Sequence, residues 1–404
     1  MYTLSRTFSL LNPELAIDPY PIYKSLRTEA PVYWDEQLQA WLVSRYDDVI
    51  DVLGNPSCYT TVIPFSLPDN NEELKPRSQI LEMVSKLMDF VEPPNHKRLR
   101  GLVEKAFFPK IQVMPGRIQQ IVNNLLEAVQ NRGKMDIISD FAEPLPIAVL
   151  VDLLGTPAEH STQLGQWGAN LNKVIGNVPT TPAEDRHILQ NMLAMNDYFR
   201  VFLEQRRQEP EDDLITALAL VEDQSNKLTD DEILINIGLL LAAGTGTPTY
   251  LIGSGLLSLL RHPNQMQKLQ DDPSLIKSAV EEFLRYETPL QWAIRFATKD
   301  IELGGQFIGK DQTILVGLGS ANRDETRFSQ PELFDITRQN NSHLAFGYGS
   351  HACLGAIFLR MQVQTAINTV LRRLNKLNLA TESLEWINAP AFRALKSLPV
   401  VFEK

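Results

Sequence analysis

Along the chain the spacing of apolar positions switches between the two-residue period of a strand and the longer period of a helix, and each switch predicts an element. Near the start, Pro31-Val32-Tyr33-Trp34 and Ala40-Trp41-Leu42-Val43-Ser44 are aromatic and β-branched runs on either side of a turn, which predicts two short strands. Residues 46–53 read as a helix, and residues 55–94, rich in Pro, Asn and Ser, as irregular chain. From 98 to 260 helical spacing dominates, as in Ile118, Ile121, Val122, Leu125, Leu126 and Val129. Thr229 and Glu232 have the residue types and spacing of a capping box, which starts a long helix there. Another helix covers 277–286 and stops before Pro289, because the residue preceding a proline avoids helical angles. Strands at 300–303 and 313–318, separated by Gly304, Gly305 and Gly309, precede a last helix over 354–377.

The pattern predicts a mainly α chain with small β-sheets. No low-complexity linker, repeat or charge block divides it, so one helix-rich domain over 1–404 is expected, with a β-rich part at 30–57 and a helical core at 95–290. Residues 233–260 carry no charge and are long enough to span a bilayer. They also contain Asn236, Thr245, Thr247, Thr249, Ser254, Pro248 and five glycines, so on pattern alone a membrane span and a buried core axis both remain open.

Composition narrows the functional classes. A net charge of −11 disfavours general nucleic-acid binding, which needs basic surface to neutralise phosphates. Cys58 and Cys353, the only cysteines, imply a reducing compartment rather than a disulfide framework. The first residues lack a sustained apolar run, so neither signal peptide nor membrane anchor is expected and the cytoplasm is the expected location.

The chemistry concentrates in Phe346-Gly347-Tyr348-Gly349-Ser350-His351-Ala352-Cys353-Leu354-Gly355. Here a cysteine lies in a loop that opens a helix, where the positive end of the helix dipole favours a thiolate. Gly349 and Gly355 are expected to let the backbone turn tightly around the sulfur. A buried packing cysteine is the alternative for Cys and Gly alone.

With Phe346, Gly349, His351 and Gly355 all in register, the run resembles the heme loop of the cytochrome P450 family, Phe-x-x-Gly-x-His-x-Cys-x-Gly. The resemblance extends over nearly the whole chain in the order of elements. It implies the P450 fold and heme b (iron protoporphyrin IX), held between the long central helix and the cysteine loop, with Cys353 as the axial iron ligand. It also implies a monooxygenase that inserts one atom of O2 into a hydrophobic small molecule, such as a secondary metabolite, terpenoid or fatty-acid-like compound. The irregular region 55–94 corresponds to the family's mobile loop over the substrate pocket.

Further residues follow from the same resemblance. Glu282 and Arg285, at i and i+3, match the family's buried Glu-x-x-Arg brace, and Arg338 is expected as its third member. His96, Arg100, Arg295 and His351 match contacts to the heme propionates, which need partners if buried; Lys97 and Arg98 fit a solvated helix face instead. The segment Leu241-Ala242-Ala243-Gly244-Thr245-Gly246-Thr247-Pro248 resembles the Ala-Gly-x-(Asp/Glu)-Thr signature. Ala243 and Gly244 would leave room for O2 and Thr247 would position it, but Gly246 stands where the acid is expected. Pro248 has no N–H to give the Gly244 carbonyl, which predicts a local bend. Either that carbonyl and Thr247 hold a proton-relaying water, or Gly246 and Pro248 serve packing.

By position, the pocket is expected to use Leu240, Leu290, Gln291, Trp292, Ile294 and Phe392, with Gln291 as either a polar substrate contact or a core amide. No flavin or iron–sulfur motif is present, so electrons are expected from an external ferredoxin and its NAD(P)H-dependent reductase. Lys97, Lys105, Arg360 and Arg372 are candidate contacts for that partner. Two other classes stay open: a peroxide-using or coupling heme-thiolate enzyme, and a non-catalytic heme sensor.

Overall fold

The computed structural model describes residues 8–64, 73–176, 180–224 and 226–403. Its helices in chain order are α1 (Tyr20–Glu29), α2 (Tyr46–Gly54), α3 (Lys75–Val84), α4 (Asn95–Gln112), α5 (Pro115–Val129), α6 (Pro144–Leu154), α7 (Ser161–Ile175), α8 (Pro182–Gln208), α9 (Leu214–Leu220), α10 (Asp230–Arg261), α11 (Pro263–Asp271), α12 (Ile276–Tyr286), α13 (Leu318–Ala321) and α14 (Ala356–Arg373). The strands are β1 (Val32–Asp35), β2 (Ala40–Val43), β3 (Tyr59–Thr60), β4 (Lys134–Asp136), β5 (Glu222–Asp223), β6 (Asn226–Lys227), β7 (Trp292–Ala297), β8 (Ile301–Leu303), β9 (Gln306–Ile308), β10 (Thr313–Gly317), β11 (Asn375–Leu379) and β12 (Pro399–Glu403). By packing, the chain divides into two compact units interleaved in sequence: Met1–Thr60, Val122–Ala142 and Thr247–Lys404 form the first, Thr61–Ile121 and Glu143–Gly246 the second.

In the first unit the main sheet has the order β1-β2-β10-β7-β3. Only the β2–β10 pair is parallel; its neighbours are antiparallel. Both faces are buried, and the pleat decides which residue goes where. Val43, Ile314 and Val316 pack with Tyr46 and Val49 of α2, whereas Leu42, Leu315 and Trp292 pack with Tyr23 and Leu26 of α1. A second sheet joins β4, β12 and β11, segments far apart in sequence. Pairing of β11 with β12 explains why α14 ends at Arg373 and not at 377 as expected: residues 375–379 satisfy their backbone on a strand partner.

Among its described residues the second unit is helical apart from the β5–β6 hairpin, with α3 against α8, α4 against α9 and α6 against α7. Helix α3 corrects the expectation of an irregular 55–94; residues 65–72 of that stretch lie outside the described residues. Helix α10 starts at the predicted box, with Thr229 N–H donating to Glu232 Oε2 at 2.9 Å and Glu232 N–H to Thr229 Oγ1 at 3.2 Å. It is long and apolar enough to cross a membrane by composition. Ile237, Leu241, Leu251, Ile252 and Leu256 along it are nonetheless fully buried, as in a core axis. The helix continues without interruption through Pro248.

Candidate active site

Loop 346–355 is shaped by glycine at two places. Gly347 and Gly349 have φ of 71° and 79°, and a Cβ on Gly349 would lie 3.0 Å from the Leu53 carbonyl oxygen of α2. Gly355 differs from expectation: its φ of −78° suits any residue, and it is the N-cap of α14. A Cβ there would sit at ordinary contact distance, 3.9 Å from Cys353 Sγ. The Cys353 N–H donates to the Phe346 carbonyl at 2.8 Å, closing the loop on itself. The Cys353 thiol is not in a disulfide, and the residue is exposed just ahead of the α14 N-terminus. Phe346 and His351 are half-buried beside it in sequence.

Behind the loop lies the expected brace, more extensively bonded than the motif alone implied. Glu282 and Arg285 are both 0% exposed and joined by two 2.8 Å bonds. Arg338 Nε reaches the same carboxylate at 3.1 Å, with Asn341 Nδ2 at 3.1 Å and the Asp335 N–H at 3.0 Å. Arg285 in turn donates to the carbonyls of Asn322, Pro331 and Leu333, so helix α12 holds the chain leading to the cysteine loop. One residue earlier, burial would raise the Glu281 carboxyl, but hydrogen bonds from Arg360 and His343 outweigh it and hold it at about 2.

On α10 an otherwise buried helix opens along one stripe. Ala243 is exposed, and Leu240, Gly244, Thr247 and Tyr250 are half-exposed, at the i, i+3, i+4, i+7, i+10 spacing of a single face. Thr245 and Thr249 point elsewhere, donating to the carbonyls of Leu241 and Ala142 at 2.9 Å each. Gly246, in the place of the acid, is half-exposed. Gly244 has a packing reason for lacking a side chain, since a Cβ would meet Leu150 of α6 at 3.0 Å.

The expected pocket residues separate by strand parity. Trp292 is a correction: it is 4% exposed, donates its indole N–H to Tyr23 Oη at 2.9 Å, and belongs to the packing of the sheet on α1. Ile294 pairs with Leu315, on the face of Trp292, whereas Arg295 pairs with Ile314 on the other. Ala293, which the sequence reading missed, shares the face of Arg295. Gln291 is buried; its Nε2 donates to the Thr288 carbonyl at 2.5 Å and its amide fills the space that a Gly319 side chain would take. Leu290 and Phe392 are bridged to each other, and the Phe392 ring lies 5.7 Å from that of Tyr250 on the open stripe.

In α4, His96 is buried and Arg100 is half-buried with Nε 2.7 Å from Glu104. Arg98 corrects the solvated-face reading, because it is ion-paired with Glu232 and bonded to Asn95. Lys97, Lys105 and Arg372 are all exposed, and Lys105 donates to the Glu222 carbonyl at 2.7 Å. Arg360 does not stand clear for a partner; it is bonded twice to Glu281.

Among the described residues, no group of three or more His, Cys, Asp or Glu side chains is placed to hold a metal ion. One sulfur donor without a chelating set suits a metal whose in-plane ligands come from a macrocycle, as in heme, and not a bare ion.

Comparisons with known proteins identify the family. The model of the family described as Cytochrome P450 matches residues 77–383. The cytochrome P450 CYP107DY1 of Priestia megaterium is 40% identical over 371 residues, 90% of each chain. The biotin biosynthesis cytochrome P450 of Bacillus subtilis is 38% identical over 98% of this chain and 99% of its own. Among solved structures, P450BioI in complex with hexadec-9Z-enoic acid ligated acyl carrier protein matches with a TM-score of 0.89 at 36% identity, covering 97% of this chain and 99% of that one. The Bacillus subtilis bacillaene polyketide synthase cytochrome P450 PksS matches at 0.90 and 34% identity, covering 98% and 100%.

Proposed function

The chain belongs to the cytochrome P450 family and is a monooxygenase with a heme-iron cofactor, and from that premise we propose that it binds heme b through Cys353 and hydroxylates a fatty-acid-like chain. The observation that carries this reading is the exposed, reduced Cys353 in its glycine-turned loop at the head of α14. The loop and the helix dipole favour the thiolate there. Heme, when bound, supplies the oxygen-activating iron chemistry that no side chain offers. His96, Arg100, Arg295 and His351 are the groups assigned to its propionates, and Phe346, Gly349, Gly355 and Ala243 to its faces.

Thr247 Oγ1 and the Gly244 carbonyl are assigned the relay. Pro248 has no N–H to occupy that carbonyl, so it is available to hold a water that passes protons where Gly246 replaces the acid. Leu290, Ala293 and Phe392 are assigned an apolar wall that excludes bulk water and accepts an alkyl chain. Support for an acyl substrate, free or presented on a carrier protein, comes from the structural relative P450BioI, solved in complex with hexadec-9Z-enoic acid ligated acyl carrier protein. Electrons are assigned to an external ferredoxin and NAD(P)H-dependent reductase in the cytoplasm.

Reduction under carbon monoxide tests the ligand: the purified holoprotein is expected to show the long-wavelength band of thiolate ligation, and Cys353→Ala to lose it. Absence of the band from the unmutated protein sinks the reading. Titration with free fatty acids and with acyl-loaded carrier protein, read as a low-spin to high-spin shift, tests the substrate class. Gly246 in place of the acid favours one second reading, peroxide-driven turnover. Efficient product formation from peroxide, with none from NADPH and a ferredoxin pair, would select it.

A further inference from the structure

Arg360 leaves the cysteine loop as part of α14 and returns to it through space. Its Nε and Nη2 bind the two oxygens of Glu281 at 2.6 and 2.7 Å, a side-on fork, and its guanidinium carbon stands 4.4 Å from the centre of the Phe346 ring. Glu281 also takes His343 Nε2 at 3.0 Å, while His343 Nδ1 accepts the Ala345 N–H at 3.3 Å. Between them, the Leu344 N–H donates to Asn322 Oδ1 at 2.6 Å. Residues 343–346 are thus fixed from α12, α14 and Asn322, and Phe346 is the residue whose carbonyl receives the Cys353 N–H.

We propose that the Arg360–Glu281 pair is a positioning device for the cysteine loop, setting the donor strength of the Cys353 sulfur through Phe346 rather than offering Arg360 to an electron-transfer partner. A guanidinium held by two carboxylate oxygens and stacked on a ring has its geometry committed. It places positive charge over the aromatic side chain that begins the ligand loop. Reduction adds negative charge at the site, so the cation favours the reduced form and the carboxylate opposes it. Arg360 and Glu281 are 30% and 29% exposed, so water screens the pair only in part.

The inference rests on heme ligation by Cys353, and its test separates the two ideas. Equilibrium reduction potentials are measured on the holoprotein with dye mediators and no protein partner. Arg360→Gln leaves Glu281 without its cation and is expected to lower the potential by the equivalent of about tenfold in the reduction equilibrium, about 59 mV for one electron. Glu281→Gln leaves Arg360 uncompensated and is expected to raise it. Arg360→Lys keeps the charge but loses the fork and the stacking, and should fall between wild type and Arg360→Gln. It also keeps the test open should Arg360→Gln fail to fold. Unmoved potentials in all three variants, with reduction by a ferredoxin slowed, would assign Arg360 to docking and overturn the inference. A missing carbon monoxide band in the wild type would instead remove the ligand reading beneath it.

Discussion

Gly349 and Gly355 occupy fixed places in the same motif, yet they have different physical tasks. Gly349 needs a left-handed φ of 79° and has the Leu53 carbonyl where a Cβ would go, whereas Gly355 has neither constraint. Gly349→Ala is therefore expected to cost on the order of 1–3 kcal/mol in denaturant unfolding, and Gly355→Ala well under 1 kcal/mol. Glu281 gives a pH prediction. Its folded carboxyl titrates at about 2 against an ordinary 4.5, so the stability it contributes is full above the unfolded value and is lost as pH falls toward 2. Thermal unfolding across that window should show wild type losing stability more steeply than Glu281→Gln. The motif made Cys353 legible in the sequence; Glu281 and His343 were not, because no local pattern records that they meet Arg360.

At the scale of elements, period decides function as much as it decides structure. In β7, two-residue alternation sends Trp292 to α1 and Ala293 to the face of Arg295, a distinction lost when the segment is read residue by residue as a pocket wall. Trp292→Phe should cost about 1–3 kcal/mol by stripping the Tyr23 hydroxyl of its donor, without changing the substrate-induced spin shift. Ala293→Phe should leave stability closer to wild type and weaken that shift. Along α10, Ala243→Leu adds bulk on the open stripe and not in the core. Its expected signature is unfolding free energy within about 0.5 kcal/mol of wild type and an abolished or much weakened spin shift in the same titration. The cap of α10 was readable because Thr229 and Glu232 are three residues apart; β4, β11 and β12 were not, because their partners lie in remote segments.

Across the whole molecule, the Glu282 carboxylate ties together segments that are more than fifty residues apart in sequence. Arg338→Ala leaves Glu282 paired with Arg285 but removes a charge-assisted hydrogen bond to the buried carboxylate. It is accordingly expected to lose about 1.5–3 kcal/mol, read by denaturant unfolding. The dense bonding of Arg285 to three carbonyls makes the same region the rigid support on which the cysteine loop is carried.

What the sequence determined by itself was whatever short spacing can encode: most of the helices and the cap of α10, the first strands, the uncharged core helix, the cysteine motif and the absence of an acid at Gly246. These depend on covalent geometry and on neighbours a few residues away. Tertiary structure decided which face of β7 meets which helix, that Gly347 and not Gly355 makes the second turn, and that Arg360 is bound to Glu281 and stacked on Phe346. Those outcomes are set by distances between residues far apart in the chain, and a periodic pattern of side chains carries no record of such distances.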